Sequence, residues 1–142
     1  PRLTAWYANS GCSYHYSGTS RPGEPWTECL AGTCALIKRR LRHPFDFMLA
    51  NRYRSGSDYV GWHSDNERDM GEHPVIASLS LGASRVFRVR PRSGGTSKGL
   101  LLRHGSLLVM WGDSQSLFKH SVPRTAQPVG ERVNLTFRYV ST

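Results

Sequence analysis

The sequence predicts a mainly β domain, a sandwich or barrel of short strands with one flanking helix. Three observations predict it. Short runs rich in apolar and β-branched residues recur at 46–53, 75–81, 85–90, 100–103, 107–111, 119–122 and 132–140, with Gly, Pro and Ser between them. The last run, Arg132-Val133-Asn134-Leu135-Thr136-Phe137-Arg138, alternates without a break, and successive side chains of a strand point to opposite faces. Helical spacing is clear over 27–42, where Leu30, Ala31, Cys34, Ile37 and Leu41 form one stripe.

Residues 3–7 read as the first strand, Asn9-Ser10-Gly11 as a turn, and Tyr14-His15-Tyr16 as a return strand completing an aromatic-rich hairpin. Two prolines and two glycines make 18–25 a loop. Thr27 is placed to cap the helix, whose outer face holds Lys38, Arg39, Arg40 and Arg42. Ser55-Gly56-Ser57-Asp58 is a loop, and 92–98 joins two strands as a hairpin loop. No internal repeat interrupts this order.

A chain of 142 residues holds one domain with a core and has no room for a second. Hydrophobic content of 38% suits a β-rich domain around a polar cavity. Nineteen Lys and Arg against ten Asp and Glu give a net charge of +9, which attracts polyanions such as nucleic acid. No apolar run is long enough to span a bilayer and no signal-peptide pattern precedes the first strand, so a soluble intracellular protein, cytoplasmic or nuclear, is expected. Cys12, Cys29 and Cys34 are odd in number and lack zinc-site spacing, as expected of free thiols. The chain starts at Pro1, already in a strand-like segment, as a domain truncated upstream would.

The final strand carries chemistry on one face. Arg132, Asn134, Thr136 and Arg138 share it, and inside a sandwich two unpaired guanidinium groups cost several kcal/mol. An anion between them relieves that cost, and a short dicarboxylate fits a spacing of roughly 20 Å from which both side chains lean inward. Trp62-His63-Ser64-Asp65 sets an imidazole and a carboxylate two apart, and His120 lies twelve residues before Arg132. Two histidines and a carboxylate with open positions form the facial triad of a non-haem Fe(II) oxygenase.

With these motifs the chain resembles the AlkB family of Fe(II)- and 2-oxoglutarate-dependent dioxygenases. Four stretches carry the likeness: Pro1-Arg2-Leu3-Thr4-Ala5-Trp6-Tyr7; Asn51-Arg52-Tyr53 through the His63 motif; Pro74-Val75-Ile76-Ala77-Ser78-Leu79-Ser80-Leu81-Gly82-Ala83; and the Arg-x-Asn-x-x-x-Arg of the last strand. The resemblance implies a double-stranded β-helix, or jelly roll. It implies His63, Asp65 and His120 as the catalytic metal centre, with Fe(II), 2-oxoglutarate and O2 as cofactors. Arg132 then pairs with the distal carboxylate of 2-oxoglutarate, Asn51 and Tyr53 hydrogen-bond the same molecule, Asn134 completes the pocket, and Arg138 lies near the metal end. Tyr14 and Tyr16 become a lid over a flipped base and Glu67 a contact to its edge, while Trp6 is core.

The implied activity is oxidative removal of methyl groups from 1-methyladenine or 3-methylcytosine in DNA or RNA, single strands favoured, by a monomer, releasing formaldehyde, succinate and CO2. The helix arginines with Arg85, Arg88, Arg90 and Arg92 offer a track for phosphates. Two alternatives share these residues: a 2-oxoglutarate oxygenase acting on a protein or small molecule, and a non-catalytic nucleic-acid-binding jelly roll.

Overall fold

A computed structural model describes residues 1–16 and 18–140, without the side chains of Tyr16 and Arg21. The strands are β1 (Leu3–Ala8), β2 (Ser13–Tyr16), β3 (Thr19–Pro22), β4 (Phe47–Tyr53), β5 (Val60–His63), β6 (Ile76–Gly82), β7 (Arg85–Pro91), β8 (Lys98–Leu102), β9 (Leu107–Met110), β10 (Phe118–Val122) and β11 (Arg132–Arg138). Helix α1 spans Glu28–Leu41 and α2 Ser114–Leu117, with a 3-10 turn at Arg68–Met70. A five-stranded sheet of order β1-β4-β11-β6-β9 faces a four-stranded sheet of order β5-β10-β7-β8, and β2-β3 form a separate hairpin. The ladders between these strands are antiparallel, and polar residues of both large sheets line one cavity.

Strand β11 is central because both its faces have somewhere to go. Its apolar set turns outward, where Leu135 and Phe137 pack with Met48, Ala77, Cys34 and Ile37 beneath α1. That helix starts where expected: the Thr27 hydroxyl accepts the Leu30 N–H at 3.2 Å, and Arg42 closes it at φ 52°. Register then sets Arg132 beside Tyr53 and Asn134 beside Asn51 on β4, and Asn134 beside Ser80 on β6. At the entry to β11, Gly82 has φ +88°, and an added Cβ would lie 2.5 Å from the Glu131 carbonyl oxygen. Only glycine fits that backbone without a shift.

Two expectations need correction. The 13–16 strand does not return onto β1 but pairs with β3, inside the segment read as loop. One edge of β1 is filled by β4, and its other edge bonds Glu24, whose N–H donates to Trp6 O at 2.7 Å while Ala8 N–H donates to Glu24 O. No edge remains for β2. Pro22 is tolerated as a strand terminus in a two-stranded ribbon, where its missing N–H breaks no central ladder. The short strand β5 and helix α2 carry no periodicity long enough to announce them.

Candidate metal centre and anion pocket

His63 ends β5 directly opposite His120 on β10, which brings their rings to 4.3 Å between centroids. Asp65 follows in the loop, its Oδ1 3.8 Å from His63 Nε2 and its Oδ2 3.6 Å from His120 Nε2. The three ligand atoms lie within 4.8 Å of one another. His63 Nδ1 faces the Gly61 carbonyl at 2.8 Å; as the donor there, it leaves Nε2 its lone pair for a metal. Burial and the neighbouring His120 push the His63 pKa down, which favours that neutral form.

Asp65 is 3% exposed. Burial pushes its pKa up, but Arg138, His120 and His63 outweigh that and hold the carboxyl well below the usual range. Arg138 Nη2 lies 3.3 Å from Asp65 Oδ2, and the Asp65 N–H donates to Gln115 Oε1 at 2.8 Å. An ionised carboxylate and two imidazoles facing one point suit a divalent transition metal with open positions.

Arg132, 2% exposed, is the opposite electrostatic case. Its Nη2 donates to Ser80 Oγ at 2.9 Å and its guanidinium lies 5.1 Å from the Tyr53 ring centre, but Nε and Nη1 are buried without a hydrogen-bond partner. Burial pushes its pKa down, offset only in part by the Tyr53 hydroxyl and by no carboxylate. Unpartnered N–H groups on a buried guanidinium call for an anionic acceptor such as a carboxylate. Between Arg132 and the metal ligands runs a polar wall: Thr136 Oγ1 donates to Asn134 Oδ1 at 2.8 Å, Asn134 Nδ2 to Ser78 Oγ at 2.6 Å, and Asn51 Nδ2 to Asn134 Oδ1 at 3.3 Å.

All three metal candidates line the same cavity as Asn51, Tyr53, Arg132, Asn134 and Arg138. Arg2 and Gln115 belong to this neighbourhood too, and sequence reasoning gave them no role. Arg2 Nε donates to Asn51 Oδ1 at 2.6 Å at the start of β1, and Gln115 reaches Asp65 from α2. The contact between Arg2 and Asn51 spans 49 residues and that between Gln115 and Asp65 spans 50, so no local pattern announces them.

The substrate expectations fare differently. Tyr14 is fully buried, its ring 5.4 Å from Trp6 and 5.1 Å from Phe47, so it is a core residue with no open face for a base. The hairpin folds down onto this cluster, pinned by the His15 N–H and ring Nδ1, each 2.8 Å from Asp69 Oδ2. The Tyr16 side chain lies outside the described residues. Glu67 is half-buried, close enough to Tyr14 and Arg138 for its charge to raise the pKa of both. Arg85 leaves the phosphate track: it shares the parity of Phe87, points inward, and donates to the carbonyls of Ser55, Asp58 and Pro123 at 2.8–3.1 Å. The α1 arginines lie beyond the main sheet, on the face away from the cavity.

A family model described as the 2OG-Fe(II) oxygenase superfamily matches residues 2–138. The mouse (Mus musculus) alpha-ketoglutarate-dependent dioxygenase alkB homolog 3 is 41% identical over 99% of this chain and 52% of its own length. The human (Homo sapiens) DNA oxidative demethylase ALKBH2 is 36% identical over 99% of this chain and 57% of its own length. The chain thus spans about half the length of these curated relatives. Among solved structures, that of OsALKBH1 has a TM-score of 0.65 at 19% identity, covering 98% of this chain and 80% of that one, a likeness of fold.

Proposed function

Because the chain belongs to the 2OG-Fe(II) oxygenase superfamily, among its AlkB-type members, we propose that it removes methyl groups oxidatively from the Watson-Crick nitrogens of nucleic-acid bases. 1-methyladenine and 3-methylcytosine are the substrates we favour, in single strands of DNA or RNA. The observation that supports this reading most is the buried, half-unpartnered Arg132 in one cavity with His63, Asp65 and His120.

His63, Asp65 and His120 would hold Fe(II). When bound, the iron supplies the redox chemistry by which O2 and 2-oxoglutarate oxidise an unactivated methyl group. The protein's part is to bind and orient. Arg132, whose Nε and Nη1 have no hydrogen-bond partner, would hold the distal carboxylate of 2-oxoglutarate, with the Tyr53 ring beside its guanidinium. Asn51 and Asn134 line the path to the metal end. Arg138 and Gln115 fix Asp65 in its ionised, ligating orientation. Overall, methylated base, 2-oxoglutarate and O2 become free base, formaldehyde, succinate and CO2.

A methyl group on a Watson-Crick nitrogen blocks pairing, so the base is extruded at low cost. The net charge of +9 favours the polyanion. We further read residues 1–142 as one oxygenase domain acting as a monomer inside the cell. Among the described residues no helix is long and apolar enough to cross a membrane. The test is mass spectrometry of single-stranded DNA and RNA oligonucleotides carrying either lesion, with Fe(II), ascorbate and O2, with and without 2-oxoglutarate. Loss of one methyl mass only with 2-oxoglutarate is the expected result. Succinate formed without demethylation would overturn the substrate and leave an oxygenase of proteins or small molecules.

A further inference from the structure

The outer face of the four-stranded sheet carries a strip of cations that have no carboxylate partner among the described residues, and it ends at the metal loop. His63, Phe87 and His120 point into the cavity, so alternation turns Trp62, Arg88, Arg90, Lys119 and Ser121 to the other face, where the first four are half-buried and Ser121 is buried. Register sets Lys119 beside Arg90 and Ser121 beside Arg88. The Arg90 guanidinium lies 4.3 Å from the centre of the Trp62 ring, a cation–π contact that positions the charge without neutralising it. Arg88 lies across β8, bonded to Ser97 Oγ at 2.8 Å over Gly99, where a Cβ would meet its Nη1 at 3.1 Å. Arg92 Nε reaches Ser64 Oγ at 3.3 Å, and Ser64 stands between two metal-site residues.

Strands β5, β7, β8 and β10 contain no Asp or Glu. Among the described residues, Arg52, Arg54 and Arg138 have carboxylate partners, and Arg88, Arg90, Arg92 and Lys119 have none. We propose that this face carries the sugar-phosphate backbone of a single-stranded nucleic acid beyond the nucleotide in the site, with Arg90 and Lys119 as its phosphate contacts. The proposal rests on the nucleic-acid reading of the site. Charge complementarity selects the occupant, and continuity through Arg92 and Ser64 selects the direction.

The experiment measures binding of an unmodified, fluorescently labelled single-stranded 15-mer across a salt series, for the chain and for Arg90→Glu/Lys119→Glu. The helix variant Arg39→Glu/Arg40→Glu makes the same change in net charge on the far side of the main sheet. Demethylation of a methylated trinucleotide, too short to reach the strip, is followed in parallel. The strip variant should reduce the slope of log K against log salt by about 1.4, at roughly 0.7 per phosphate contact, while trinucleotide turnover persists and the helix variant behaves as wild type. Arg90→Lys/Lys119→Arg should retain the slope, which separates lost charge from lost folding. An equal loss in the helix variant, or an unchanged slope in the strip variant, would overturn the strip. No turnover of the trinucleotide by wild type, with the slope still sensitive to Arg90 and Lys119, would overturn the demethylase reading and support the strip.

Discussion

The two buried arginines of β11 are six residues apart on one strand face, yet their surroundings differ in kind. Both leave Nε and Nη1 without a hydrogen-bond partner and both lie beside a tyrosine ring, but Arg138 lies 3.3 Å from Asp65, and that carboxylate outweighs burial to raise its pKa. Arg132 has the Ser80 hydroxyl and no carboxylate beside it, and burial lowers its pKa. One charge is compensated inside the protein and the other waits for a ligand. A buried ion pair broken on one side is strongly destabilising, whereas a lone buried charge is itself a cost that folding has to overcome.

The largest effect expected from this contrast is at Asp65. Asp65→Ala should abolish metal binding, read by iron content, and also lower stability by about 3–5 kcal/mol in a denaturant titration because Arg138 loses its partner. Arg138→Leu should destabilise to a similar extent by stranding Asp65. Arg132→Leu should do the reverse. Stability of the ligand-free chain should stay level or rise, while the Michaelis constant for 2-oxoglutarate rises about a hundredfold or more, the loss of a charge-assisted pair of roughly 3 kcal/mol. A destabilised Arg132→Leu would show that its partner lies within the protein.

Gln115→Ala removes the acceptor of the Asp65 N–H and should weaken metal affinity about 10–100-fold, as loss of an outer-shell contact does. Gly82→Ala should lower stability by about 1–3 kcal/mol with metal affinity retained, because the strain falls on the Glu131 carbonyl at the entry to β11.

The smallest effect is one of pH. The folded pKa of His63 lies below its ordinary 6.5, so the unfolded chain binds the proton first and stability falls with pH in that window. Melts of the metal-free chain should show stability complete above pH 6.5 and declining as pH drops towards the folded value, with a flatter decline in His63→Gln. Asp65, held far below its ordinary 3.8, contributes nothing to that slope above pH 5.

Much of this was legible in local pattern. The alternation of β11 assigned Arg132, Asn134 and Arg138 to one face before any coordinates, and the same parity applied to β7 marks Arg85 as inward with Phe87. His63 and Asp65 were legible from spacing. Partnerships that depend on where distant elements dock were not. Gln115 reaches Asp65 from a four-residue helix, Arg2 reaches Asn51 from just before the first strand, and Tyr14 faces Trp6 and Phe47 because its hairpin folds down onto that cluster. The β2-β3 pairing was hidden for a similar reason, since it turns on Glu24 occupying the free edge of β1.

The most direct test of the Arg132 assignment is calorimetric titration of the Mn(II)-loaded chain, without O2, with 2-oxoglutarate and with 2-oxobutyrate, which lacks the distal carboxylate. The wild type should prefer 2-oxoglutarate by about a hundredfold, a difference near 2.7 kcal/mol, and Arg132→Leu should bind the two acids alike. Equal binding of both acids by the wild type, or a preference that survives Arg132→Leu, would contradict the assignment of the buried guanidinium to the cosubstrate.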